Sequence, residues 1–234
     1  MEKLTRIMCL LACATVFTLA SAKADTTITV NPADPWVGFM NVFNKPQDGG
    51  AYQFGSSWGT VDLTAVFSGT TLTLGPNTIG DPAAYWYTPA GGPGAVGNKT
   101  MDANMYVEPV GSLPGETVTF TGDVLASSLL GQVNALGNGW TAVAFVKDFA
   151  ANYSSSVSST VALTPGVFSV SLATIADPAR HVQYGFEVIG PDVWATDVGN
   201  FGNIQIAPIP EPSSIALALT GLLGFVTVLR KRRV

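Results

Sequence analysis

Gly55-Ser56-Ser57-Trp58-Gly59 has the G-x-S-x-G spacing of a nucleophile elbow, and Asp177 and His181 follow in the order a hydrolase triad would use. That chemistry needs a strand, a sharp turn and then a helix. Here Thr60-Val61-Asp62-Leu63 continues as a strand pattern, so the match is not expected to work as an elbow. His181 is the only histidine, too few for a His-rich zinc site. It falls on the polar parity of its segment and is expected to be a surface or hydrogen-bonding residue. The two cysteines, Cys9 and Cys13, both lie near the N-terminus, in a segment read below as a leader.

Carboxylates offer a second kind of chemistry. Glycoside hydrolysis needs two acids roughly 5 to 10 Å apart. Asp192 and Asp197 flank Trp194, and Glu108 and Glu116 flank a turn. Loops attract Asp for turn geometry alone, and solvated loop acids are the duller account of all four. A hard cation takes loop oxygens, so Asp177, Asp192 and Asp197 are the candidates for a structural calcium, although no D-x-D-x-D-G spacing supports one. The expectation is therefore of no catalytic residue and no cofactor.

Aromatic side chains give the better hint of binding. Tyr85-Trp86-Tyr87 is a consecutive triplet, and in a strand its members cannot all face one core. With Trp194, and with Trp58 as a contributor, it is the candidate platform on which sugar rings would stack. The competing account is a two-sided core strand that buries the rings.

The elements that must hold these residues read as β throughout. Val61, Leu63, Ala65 and Phe67 alternate with polar residues, as do Val118, Phe120 and Val124, then Phe168, Val170 and Leu172, then Val182, Tyr184, Phe186 and Val188. Period two places each apolar set on one sheet face. Trp140 to Val146 is apolar on both parities, which fits a strand covered on both sides. Turn chemistry separates the runs at Gln47 to Gly50, Gly75 to Asn77, Leu113 to Gly115, Thr164 to Gly166 and Gly190 to Asp192. Ala90 to Asn98 is expected as a mobile loop, and Val124 to Leu136 is the one stretch that could be a helix. Many short strands with Gly/Pro turns predict an all-β chain: a two-sheet antiparallel β-sandwich, jelly-roll-like, over residues 25–207.

Both flanks read as address labels. Residues 1–24 have a positive start at Lys3 and Arg6, an apolar core from Ile7 to Ala20, and Ala22-Lys23-Ala24 as a small-x-small site cut between Ala24 and Asp25. That is a secretory signal peptide. Pro210-Glu211-Pro212-Ser213-Ser214 precedes an apolar run, Ile215 to Leu229, and then Arg230-Lys231-Arg232-Arg233. Fifteen residues of helix reach about 22 Å at ~1.5 Å each, short of a bilayer core of about 30 Å. As a single transmembrane helix the run needs snorkelling by its cations, which bias that end to the cytoplasm.

This combination of motif, apolar segment and basic end over residues 208–234 resembles a PEP-CTERM sorting signal. The resemblance implies recognition by an exosortase, a membrane enzyme that processes the tail, and passage from the inner membrane to the cell surface or extracellular matrix of a bacterium that makes exopolysaccharide.

Without its flanks the chain keeps fourteen Asp or Glu against Lys45, Lys99, Lys147 and Arg180, a net charge of −10 with His181 neutral. Clustered cations for a phosphate backbone are missing, which excludes nucleic acid as a partner. No cysteine remains between 25 and 207, so thiol chemistry and Cys-based zinc are excluded there. The function expected is an exported, non-enzymatic surface or matrix protein associated with exopolysaccharide. The alternatives are a secreted polysaccharide hydrolase using paired carboxylates, or a purely structural coat component.

Overall fold

A computed structural model describes residues 25–129 and 139–209. The signal peptide, the PEP motif at Pro210 to Pro212, the apolar run Ile215 to Leu229 and the basic end lie outside the described residues. Among the described residues, no helix is long and apolar enough to cross a membrane.

Thirteen strands are described: β1 (Asp25–Thr29), β2 (Val37–Asn44), β3 (Tyr52–Trp58), β4 (Ala65–Ser68), β5 (Thr71–Leu74), β6 (Tyr87–Thr88), β7 (Val96–Val107), β8 (Thr117–Ser127), β9 (Thr141–Phe149), β10 (Ser156–Ala162), β11 (Gly166–Ala173), β12 (His181–Val193) and β13 (Ile204–Ala207). Seven of them form a sheet in the order β10-β9-β12-β7-β2-β3, with β6 paired to β7. Six form the other, β1-β8-β13-β5-β4, with β11 paired to β8. The β2–β3, β4–β5 and β9–β10 connections are hairpins within one sheet, whereas β7, β8, β9 follow one another by crossing between sheets.

The two-sheet sandwich matches the pattern of alternation. Val118, Phe120 and Val124 of β8 and Val182, Tyr184, Phe186 and Val188 of β12 are all buried. Their rings meet between the layers: Trp36 stacks on Phe186 at 5.9 Å, and Phe120 sits 5.3 Å from Phe186 and 5.5 Å from Phe168. Each large aromatic buried there removes some 150–250 Å² from water, which makes this cluster a substantial contributor to the core. β9 is covered on both sides as expected, with Ala144, Phe145 and Val146 fully buried.

Several expectations need correction. β1 runs parallel to β8, so the sandwich is not wholly antiparallel. Val61 to Thr64 is a turn, not strand: Thr64 has φ 55° and Leu63 N–H donates to Gly59 O. Gly190-Pro191-Asp192 is not a turn but the end of β12. β9 stops at Thr141 opposite Ile189, so Pro191, which has no N–H, lies beyond the stretch paired on both sides. The glycine-rich loop ends at Ala95, and Val96 to Asn98 already belong to β7. Val124 to Ser127 is strand, not helix, and the rest of that stretch beyond Leu129 lies outside the described residues.

Candidate functional site

β2, β3, β7, β9 and β12 lie side by side in the seven-stranded sheet. Their odd–even alternation divides residues between core and solvent. Met40, Val42, Met101, Ala103 and Met105 point inward and are buried. The opposite parity, Phe39, Asn41, Asp102, Asn104 and Tyr106, faces outward, with Asn41 opposite Asp102 and Phe39 opposite Asn104. On this outer face lies a groove of about 460 Å³, lined by Phe39, Asn41, Ser57, Asn104, Tyr106, Lys147, Phe149, Tyr153 and Gln183. β3 to β9 is four strand steps, so the groove runs roughly 19 Å across the strands. A second hollow of about 420 Å³ shares Ser57 and Tyr106 and continues past Trp36 and Trp58.

The floor is wired by hydrogen bonds. Lys147 Nζ donates to Glu187 Oε2 at 2.6 Å and to Asn104 Oδ1 at 2.8 Å, and lies 4.0 Å above the Phe145 ring. Asn104 Nδ2 donates to Asp102 Oδ1 at 2.6 Å, and Asn41 Nδ2 to Asp102 Oδ2 at 3.2 Å. Burial, with Glu187 adding to it, raises the Asp102 carboxyl above the usual carboxylate range, against the pull of Lys147 and the two amides.

Glu108 is the hub at one end. It accepts from Tyr153 Oη at 2.8 Å and Gln183 Nε2 at 2.6 Å, and His181 Nδ1 lies 2.8 Å away. Burial alone would raise the Glu108 carboxyl, but the bonds from Gln183, Tyr153 and His181 outweigh it and hold the group below its ordinary value. Tyr153 stacks on His181 at 4.2 Å, which fixes its ring at the groove edge while leaving it half exposed. Burial and Glu108 push its phenol well up, so the hydroxyl stays protonated.

The aromatic triplet is not one platform. Ala84 to Trp86 is a turn, and only Tyr87 enters a strand, opposite Gly97. Tyr87 is fully buried; its hydroxyl bonds to the Ile79 and Val193 carbonyls, and burial pushes it up to about 12. Trp194 packs edge-on against Tyr87 at 5.4 Å. Tyr85 is exposed beneath Lys99 Nζ at 4.1 Å, and Trp86 meets Tyr85 and Phe54 edge-on. The core account thus holds for Tyr87 alone of the triplet, because its phenol satisfies its hydroxyl inside, while Trp194, past the end of β12, is only partly buried.

Asp192 and Asp197 line one cavity of about 420 Å³ at the far end of β12, and Asp177 does not join them. Asp177 Oδ1 accepts from Ala179 N–H in the turn before β12 begins. Asp192 is 1% exposed; Oδ1 accepts from Lys99 N–H while Oδ2 has no partner among the described residues, and burial raises the acid to about 7. Asp197 Oδ2 accepts from Gly94 N–H at 2.6 Å. No trio of acids or histidines able to hold a metal occurs among the described residues, so the calcium set of Asp177, Asp192 and Asp197 is not assembled. Glu116 accepts from Thr26 in the six-stranded sheet, away from Glu108. Gly55 to Trp58 lies inside β3, and Ser56 Oγ accepts from Trp58 Nε1, so no elbow forms.

Comparison with known proteins bears on the C-terminal segment. Residues 208–233 match the PEP-CTERM protein-sorting motif. The motif supports an exported protein sorted by an exosortase, a membrane enzyme. The match covers this segment alone, and the PEP-CTERM motif says nothing of what the sandwich does. No curated protein and no solved structure matches the chain.

The groove was missed because its lining comes from five strands far apart in sequence. A signal existed: the outward parities of β2 and β7 carry Phe39, Asn41 and Phe43, and Asp102, Asn104 and Tyr106, where a plain solvated face would carry Thr, Ser and Lys.

Proposed function

We propose that this is an exported, exosortase-processed surface or matrix protein whose jelly-roll-like sandwich binds exopolysaccharide without cleaving it. Binding takes place across the outer face of the seven-stranded sheet. One observation carries the reading: a long groove that offers ring faces (Phe39, Tyr106, Phe149, Tyr153) beside fixed amides and hydroxyls. Apolar faces with a few placed polar groups are what a sugar chain needs, since sugars present both C–H faces and hydroxyls. Tyr153→Ala is the direct test, because its ring is half exposed and its loss leaves the core untouched. Affinity electrophoresis on the organism's own polysaccharide should show roughly tenfold weaker retention. Unchanged retention would remove the groove from the argument, and no retention of either form would favour a purely structural coat component.

The hydrolase reading has one observation in its favour. Asp192, raised to about 7, lines the same cavity as Asp197, which brings two acid side chains to one hollow. Against it, Asp192 is buried and Asp197 is tied to the backbone of Gly94. Polysaccharide turnover that disappears on Asp192→Asn would restore it.

A further inference from the structure

We infer that the groove takes an uncharged glycan, not a uronate, sulfate or phosphate polymer and not a cationic one; this rests on the polysaccharide-binding reading above. The charged groups of the groove are matched among themselves. Lys147, the cation in the lining, is held by Glu187 at 2.6 Å and Asn104 at 2.8 Å, with the Phe145 ring beneath it. Its side chain is only 18% exposed. An incoming carboxylate or sulfate would have to displace Glu187 and would leave that acid unpaired in a largely buried position, a costly exchange. Glu108 is likewise occupied by Tyr153, Gln183 and His181. A cationic polymer would compete with those donors.

What the groove leaves unused is neutral. Ser57 Oγ, the Tyr106 hydroxyl, Asn41 Oδ1 and Gln183 Oε1 make no hydrogen bond to other described residues. Burial, with Glu108 adding to it, raises the Tyr106 phenol, so it stays a protonated donor across the physiological range. Two hydroxyls, which donate and accept, and two amide oxygens, which accept, complement sugar hydroxyls. The field of the whole domain, at net charge −10 between residues 25 and 207, also repels anionic chains.

The test uses the full chain, purified in detergent, and the organism's secreted polysaccharide split by anion exchange into a neutral unbound fraction and an acidic bound fraction. Affinity electrophoresis should show retention by the neutral fraction, nearly constant between about 50 and 500 mM NaCl because few charges are exchanged. Tyr106→Phe, which removes one oxygen and keeps the ring, should weaken that retention roughly fivefold with an unchanged melting temperature. Stronger retention by the acidic fraction, lost as salt rises, would overturn the inference and leave the binding reading standing. Retention by neither fraction would overturn the binding reading itself. Unchanged retention of Tyr106→Phe would remove the hydroxyl complementarity on which the inference turns.

Discussion

Asp192 shows what a single buried group can do to the whole. Its folded value of about 7 stands above the ordinary value of 3.8, with burial as the main cause. The sign follows: below about pH 4 the acid is neutral folded or unfolded and takes nothing from stability. Between about 4 and 7 the unfolded chain ionises while the folded one keeps its proton, so stability falls; above about 7 it levels off. Asp192→Asn keeps Oδ1 for the Lys99 N–H and removes the titration. Its stability should exceed that of the parent by up to about 4 kcal/mol at pH 8 and converge on it near pH 4. Chemical denaturation at the two pH values measures this, and a constant difference between the two proteins would refute the assignment. Nothing in the sequence announced this: Gly190-Pro191-Asp192 reads as a turn, and only the end of β9 at Thr141 explains why a proline and a buried acid can follow in β12.

At the scale of elements, β12 and β7 do most to place the groove, and Gly185 sets how closely they approach. A Cβ there would lie 2.1 Å from Met105 O and 2.9 Å from Tyr106 Cβ. Gly185 stands opposite both Tyr106 and Phe145, so its missing side chain makes room for the rings that floor and flank the groove. Gly185→Ala should cost roughly 2–4 kcal/mol, because backbone must move. Gly199→Ala, where a Cβ meets nothing within 4 Å, should fall within about 0.5 kcal/mol of the parent. Equal melting of the two variants would show that the strands are not in the contact described. Elements with one buried face were legible: β8 and β11 repeat apolar residues every second position, and a one-residue slip would turn that set to solvent; β12 keeps the same alternation although both its faces are covered. β4 was overdrawn because Val61 and Leu63 keep the alternation through a turn. β2 and β7 were not legible, since their outward positions carry the groove and so break the plain polar pattern.

For the molecule as a whole, processing and redox behaviour are the accessible observables. Cys9 and Cys13 both precede Asp25, so material cut there has no thiol to oxidise, and its melting temperature should be the same with and without reductant. Intact mass of surface-released protein should begin at Asp25 and lack the apolar run after Pro212; a mass that retains either flank would contradict the sorting route. A shift with reductant would mean that the leader is kept.

The edges of β8 gather both ends of the described sandwich. β1 pairs with Thr117–Thr121 and β13 with Asp123–Ser127 of the same strand, both opposite the edge taken by β11. Ile209 N–H donates to Thr29 Oγ1, so the outgoing tail brushes the finish of the first strand. The first and last described residues, Asp25 and Ile209, therefore lie along one margin of one layer, like two cords sewn to a single hem. Force applied at Asp25 or Ile209 enters through that margin, whereas the ringed trough faces outward on the other layer.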